Sequence, residues 1–256
     1  MIDTHCHLLK EEYETEEHLN EIIEHMGHNI MITSATNLEN MKETLKIIHK
    51  YENVYGVIGL HPEEVTDNYQ ETLDFIENHI HDDKVVGIGE IGLDYHYTKD
   101  NRDLQIEVFR KQLALAKKHG LTCVVHSRDA AEDTYHILKE VMDGSFSVIL
   151  HCYGYHVELA RKFLKLGCFF GIGGVLTFKN SKKLVEVVKE LPLNSLLLET
   201  DSPYLSPEPY RGKENEPKNI EYVAKKISEI QEVPIEKVYE ITTATAVRQF
   251  DLKIQF

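Results

Sequence analysis

Positive charge is scarce in this 256-residue chain: 28 lysines and arginines stand against 43 aspartates and glutamates, a formal net charge of −15. That deficit argues against a broad electropositive surface, the feature that gives nucleic-acid-binding modules their non-specific affinity. It does not exclude a phosphate substrate, because bound divalent cations and a few arginines inside a cleft can supply the missing charge locally. Long apolar runs are missing too. None is long enough to cross a bilayer, and Met1-Ile2-Asp3 opens directly into a strand pattern with no basic and apolar leader before it, so the expectation is a cytoplasmic protein with no membrane association. The four cysteines, Cys6, Cys123, Cys152 and Cys168, form no C-x-x-C pair and read as buried, reduced thiols. Low-complexity segments and sequence repeats are also absent. With 42% hydrophobic and 28% charged residues, the length suits one domain over residues 1–256.

What is present is a rhythm of short apolar runs and amphipathic stretches. Runs near Ile2-His5, Ile30-Thr33, Tyr55-Gly59, Val85-Gly89, Thr122-His126, Val148-His151, Cys168-Gly171 and Leu196-Glu199 read as about eight strands. Between them, Asn101 to His119 repeats apolar residues at helical spacing and stops at Gly120; Tyr155 to Leu166 does the same before Gly167. Helices after strands imply crossover connections and a parallel sheet buried on both faces, hence an α/β fold of the TIM-like (β/α)8 barrel type. The stretch from Ser202 to Pro217 holds four of the seven prolines and reads as a rim loop placed to cover a site.

Six residues able to bind metal, His5, His7, Glu90, His126, His151 and Asp201, fall at the ends of these runs. The C-terminal rim of a parallel barrel is where such distant positions converge. In His5-Cys6-His7, alternation along a strand turns both imidazoles to one face and Cys6 to the other. An H-x-H alone is a weak signal, and each remaining residue has an ordinary reading as a capping, core or solvated group. Together, four imidazoles and two carboxylates suit zinc, manganese or nickel, with one carboxylate able to bridge two ions. The expected arrangement has Glu90 bridging, His5 and His7 on one ion, His126 and His151 on the other, and Asp201 on the first ion. Two such ions acidify a shared water and clamp a displacement in line, which implies hydrolysis, with Glu90 and Asp201 catalytic and Asp201 accepting the proton.

Around this set, His61 reads as a substrate contact, with support of a ligand as its rival role. Arg128 lies on the same rim as His126 and can fork onto a phosphate, with a salt bridge to Asp129 as the alternative. Arg211 is a further phosphate-suited group. Glu199 precedes Asp201 by two residues and reads as a deeper group that orients a ligand. The lysine pairs and the histidines at positions 18, 25, 49, 79, 119 and 136 fall in helical stretches and receive no function.

Several motifs carry a family resemblance: Asp3-Thr4-His5-Cys6-His7, Gly59-Leu60-His61-Pro62, Gly89-Glu90-Ile91-Gly92-Leu93-Asp94-Tyr95, His126-Ser127-Arg128-Asp129-Ala130, Leu198-Glu199-Thr200-Asp201-Ser202-Pro203-Tyr204-Leu205 and Arg211-Gly212-Lys213-Glu214-Asn215-Glu216-Pro217. Through them, over nearly its full length, the chain resembles the TatD family of metal-dependent deoxyribonucleases, within the amidohydrolase-like barrels. The resemblance implies a TIM-like barrel, two divalent ions held by the six residues above, and DNA hydrolysis, often exonucleolytic. Magnesium, manganese and zinc are the candidate ions, with nickel an option in a purified sample. Departures fall at Gly154 and Tyr155, where the family more often has a serine and then a glycine after the aromatic position, and at Thr245 and Gln249 in the last helical stretch. Two alternatives stand beside the nuclease: a hydrolase of a D-aminoacyl-tRNA ester, an amide or a lactone on the same barrel, and a non-catalytic metal-binding protein. DNA is the expected partner, and a monomer with no obligate protein partner the expected state.

Overall fold

The computed structural model describes residues 1–254; residues 255 and 256, the end of the expected domain, lie outside the described residues. Eight strands run β1 (Ile2–Cys6), β2 (Ile30–Ser34), β3 (Val54–Ile58), β4 (Val85–Asp94), β5 (Thr122–Arg128), β6 (Val148–Leu150), β7 (Phe169–Ile172) and β8 (Leu196–Leu198). They pair in sequence order, every ladder parallel, as the crossover rhythm requires. The remaining seam is bridged just beyond β8, where Asp201 N–H donates to His5 O (2.9 Å) and His7 N–H to Ser202 O (2.8 Å). The result is a nearly closed (β/α)8 barrel.

Helices α1 (Glu16–Glu24), α2 (Leu38–Lys50), α3 (Gln70–His79), α4 (Arg102–His119), α5 (Ala131–Val141), α6 (Val157–Lys165), α7 (Lys182–Glu190) and α8 (Ile220–Gln231) follow the strands in turn, and α9 (Ile235–Gln249) is added at the end. Local chemistry sets their ends. Thr15 and Asn37 cap α1 and α2 by accepting from His18 N and Asn40 N. Gly120, at φ 66°, ends α4 in the left-handed region that glycine enters without strain, behind Lys117, Lys118 and His119 in the last turn.

Alternation along the strands splits the core in two. One cluster collects Ile2, Ile32, Val57, Val86, Val124, Ile149 and Leu197 from seven strands and is floored by Phe250 and Leu252 after α9. The other, including Cys6, Met31, Ile88, Cys123 and Phe163, packs strands against helices. The apolar interior therefore fills the barrel below, and the polar groups gather at the strand C-termini above it. No helix among the described residues is long and apolar enough to cross a membrane.

Strand limits differ from the sequence reading at two places that matter. β4 does not end at Gly89; it runs on to Asp94, so Glu90 is an interior strand residue, after a cis Gly89–Glu90 peptide and within a register shift against β5 between Ile88 and Ile91. β8 is shorter than expected and stops at Leu198, which leaves both Glu199 and Asp201 beyond it. The pleat argument relating those two residues therefore does not apply. Glu199 is nonetheless the deeper of the pair, fully buried where Asp201 is partly open.

Candidate metal centre

Glu90 stands at the middle of the rim, and its two carboxylate oxygens face different groups. Oε2 is 3.3 Å from His5 Nε2 and 3.8 Å from His7 Nε2. Oε1 is 2.8 Å from His151 Nε2, 2.9 Å from His126 Nδ1 and 3.4 Å from His61 Nε2. Asp201 Oδ1 closes the first group, 3.3 Å from His7 Nε2 and 3.5 Å from His5 Nε2. The six residues singled out from the sequence thus meet in one place. Within it, His5, His7 and Glu90, then His5, His151 and Asp201, then His61, Glu90 and His126 each bring ligand atoms within 4.8 Å of one another.

The imidazoles are held from behind so that one nitrogen of each faces the cluster. His7 Nδ1 donates to Ser34 O (3.2 Å), which leaves Nε2 as the lone-pair nitrogen of the neutral ring. His5 Nδ1 pairs with Ser34 Oγ (3.0 Å), and its buried Nε2 has no hydrogen-bond partner. His126 Nε2 donates to Asp94 Oδ2 (2.8 Å), turning Nδ1 inward. His151 Nδ1 points toward Glu199 Oε1 at 3.8 Å without a hydrogen bond. An orphaned buried nitrogen, lone pairs aimed at one point and a carboxylate with an oxygen for each side fit a pair of divalent cations. His5 and His7 with Asp201 would hold one, His126 and His151 the other, and Glu90 both; His61 stands within reach of the second position as well as of the cleft.

Charge balance supports the same reading. Burial opposes ionisation of Glu90, yet the imidazoles of His151, His61 and His5 hold its carboxyl well below the usual range. Burial disfavours the charged form of His126, but Asp94 and Glu90 outweigh it and lift the ring to about 9. His151 is pulled down to about 4 by burial and by the His5 ring stacked 3.9 Å away. Cations would replace these crowded protons.

Residues behind the ligands carry much of the geometry. Asp3 Oδ1 accepts from Thr200 N–H (3.0 Å) and Oδ2 from the Thr200 hydroxyl, anchoring the backbone before Asp201, whose φ is 57°. The Glu199 carboxylate accepts from Cys152 N–H, and a Cβ on Gly171 would come within 2.0 Å of Glu199 Oε2, so only glycine leaves room for it. Asp94 escaped the reading of the sequence as a site residue, although it lies four positions beyond Glu90 and alternation puts both on one face of β4. Ser34 and Asp3 were missed as well; Ser34 carries no signal beyond closing β2.

Above the cluster opens a cleft of about 820 Å³ whose lining includes His61, Arg128, Tyr97, Tyr155 and Tyr204. Arg128 does not pair with Asp129: its guanidinium lies over the Tyr97 ring at 5.3 Å, and Asp129 accepts instead from His96 Nδ1 at 2.9 Å. Tyr155 is pinned by its hydroxyl to Ser127 Oγ (3.0 Å). Arg211 is not brought to the cleft lining. Its guanidinium stacks on Phe178 at 4.2 Å, just after a turn closed by Tyr210 N–H to Pro207 O. The segment after Asp201 is a fixed wall more than a free cover: Asn215 Nδ2 ties to Thr200 O and Tyr204 O, and Tyr204 and Leu205 face the cleft.

Comparison with known proteins gives this arrangement its relatives. The family model for TatD related DNase matches residues 2–251. The chain belongs to the TatD family. An uncharacterized metal-dependent hydrolase of Bacillus subtilis, YabD, is 42% identical, with 98% of each chain covered. Among solved TatD-type structures, the YjjV homologue from Escherichia coli superposes with a TM-score of 0.89 at 29% identity, covering 98% of both chains. A TatD family hydrolase from Entamoeba histolytica gives 0.83 at 25% identity, covering 97% of both. Membership makes the chain a metal-dependent hydrolase on a TatD-type barrel.

Proposed function

We propose that the protein is a metal-dependent deoxyribonuclease that hydrolyses phosphodiester bonds from a DNA end, working as a monomer in the cytoplasm. The observation that carries the reading is Glu90, one carboxylate shared between two sets of imidazoles at the floor of an open cleft. Two divalent cations, magnesium, manganese or zinc, would supply Lewis acidity toward phosphate oxygens and lower the pKa of water at the site.

The chain's own groups do the rest. Asp201 Oδ1 lies beside His5 and His7 on the cleft side and is held well below the usual carboxylate range; burial acts against this, and the imidazoles of His5 and His7 beside it outweigh it. It is therefore ionised and placed to take the proton of the attacking water. Asp94 fixes the tautomer and direction of His126. Arg128 and His61, on the cleft wall, are positioned to hold a non-bridging phosphate oxygen and the leaving group in line.

A second reading, hydrolysis of an ester or amide that is not a phosphodiester, such as a D-aminoacyl-tRNA ester, is favoured by one observation: the cleft mouth is lined by Glu11, Glu12, Glu63 and Glu64, a setting that suits an ammonium group. The deciding experiment is digestion of end-labelled single-stranded DNA by metal-stripped protein, with Mg²⁺, Mn²⁺ or Zn²⁺ restored and the Glu90→Ala/Asp201→Asn double variant alongside. Metal-dependent laddering from one end, lost in the variant, is the expected result. A folded, metal-loaded protein that leaves DNA intact while cleaving an aminoacyl ester would transfer the assignment to the second reading.

A further inference from the structure

The cleft outside the metal cluster is unlike a groove for a long polyanion. Among the described residues that line it, four glutamates, Glu11, Glu12, Glu63 and Glu64, face one full cation, Arg128. Glu11, Glu63 and Glu64 are exposed, and the groups that hydrogen-bond Glu11 and Glu12 are neutral, Asn40 Nδ2 and the Tyr204 hydroxyl. Glu63 is close enough for its charge to act on the Arg128 guanidinium. A nucleic-acid backbone brings one negative charge per nucleotide. The first phosphate meets the metal cluster and Arg128; the next ones would meet carboxylates with no cation between, and like charges brought together in a partly desolvated cleft repel.

The same mouth offers something else. Tyr97 is 74% exposed and Tyr204 49%, the two largest exposures among the large apolar side chains, and both line the cleft. Tyr97 follows β4 and Tyr204 follows β8, half a turn of the barrel apart, so the rings stand on opposite walls. Tyr204 also edges His7 at 5.9 Å, which ties one wall to the metal cluster. Exposed aromatic faces accept any nucleobase by stacking and add no charge requirement.

We infer that the cleft takes one or two nucleotides at a strand end, held by base stacking on Tyr97 and Tyr204 and by a single Arg128-to-phosphate contact, and that the enzyme's substrates are short oligonucleotides in preference to long polymers. This rests on the nuclease reading above and narrows its substrate class.

The test uses the full chain loaded with the ion that best restores activity, and follows unlabelled single-stranded DNA by chromatography so that no dye competes for the tyrosines. A dinucleotide, a tetranucleotide and a long oligomer should give kcat/KM values that fall with length. The apparent affinity should drop only about threefold between roughly 50 and 200 mM salt, the slope of a single phosphate contact on a single strand. Tyr97→Ala and Tyr204→Ala should each raise KM by roughly tenfold while changing kcat far less, the pattern of lost stacking and not of lost chemistry. Glu63→Lys/Glu64→Lys should raise the ratio of long-oligomer to dinucleotide turnover. A kcat/KM that climbs steeply from the tetranucleotide to the long oligomer, with a salt dependence of several contacts, would overturn the inference and leave the nuclease standing. Failure to cut any length, with metal bound and the fold intact, would remove both.

Discussion

The two halves of the candidate metal site hold their imidazoles by different means. On the β1 side, His5 and His7 lean on one residue, Ser34, through its hydroxyl and its carbonyl, both neutral. On the β5 and β6 side, His126 is backed by the Asp94 carboxylate, while His151 faces, at 3.8 Å and with no hydrogen bond, the Glu199 carboxyl, which burial pushes up to about 8. A neutral acceptor fixes a ring's tautomer and direction. A carboxylate does this and also makes the ring a stronger donor to a cation. The β1 half is accordingly a matter of placement, the other half of placement and charge. Asp201 belongs to the first, where it can act on water, and Glu90 alone belongs to both.

The largest effect should come from the residue the halves share. Glu90→Ala removes the bridge and leaves crowded imidazoles with no counter-charge, so both ions should be lost. Metal content by mass spectrometry of desalted protein should fall to near zero, and turnover should drop by about 10⁴ or more, since on the proposed mechanism activation by two ions would be the main source of rate. Retention of one full equivalent of metal would show that one half is sufficient by itself. Next in size is Asp201→Asn. It should keep most of the metal, held by His5, His7 and Glu90, yet lose roughly 10²- to 10⁴-fold in kcat, the usual range for a general base. A fully active variant would take that role away from Asp201.

How much of this could be read from the chain depends on which physical signal each residue sends. The barrel follows from eight apolar runs separated by helical stretches, because crossover connections leave few other solutions. The convergence of the six candidate ligands was legible for a related reason: each is a chemically distinctive residue at or near the end of a run. Asp94 sends the same signal, yet a strand expected to stop at Gly89 hides it; only the extension of β4 through the register shift puts it on the face of Glu90. Ser34 is a serine at the end of an unremarkable strand, and its value lies in a ring that arrives from β1. Arg211 shows the opposite case, a distinctive residue in a proline-rich segment that no periodicity describes, with its guanidinium on Phe178.

The smaller effects divide the two halves directly. Asp94→Asn keeps shape and a hydrogen-bonding oxygen at the position behind His126 but removes its charge, so the affinity of an ion on the His126 side should fall by about 10- to 100-fold. Ser34→Ala removes the hydroxyl that meets His5 and leaves the backbone carbonyl that accepts from His7, so a single neutral hydrogen bond is lost. Such a bond is worth about 0.5–1.5 kcal/mol, which corresponds to a loss of roughly two- to tenfold in affinity for the other ion. Competition with a chelator of known affinity, run on both variants in parallel, measures the two steps separately. If Ser34→Ala costs as much as Asp94→Asn, charge behind the imidazole adds nothing beyond direction, and the two halves are alike after all. If the smaller loss falls on a different ion from the larger one, the asymmetry is real and each half can be weakened without the other.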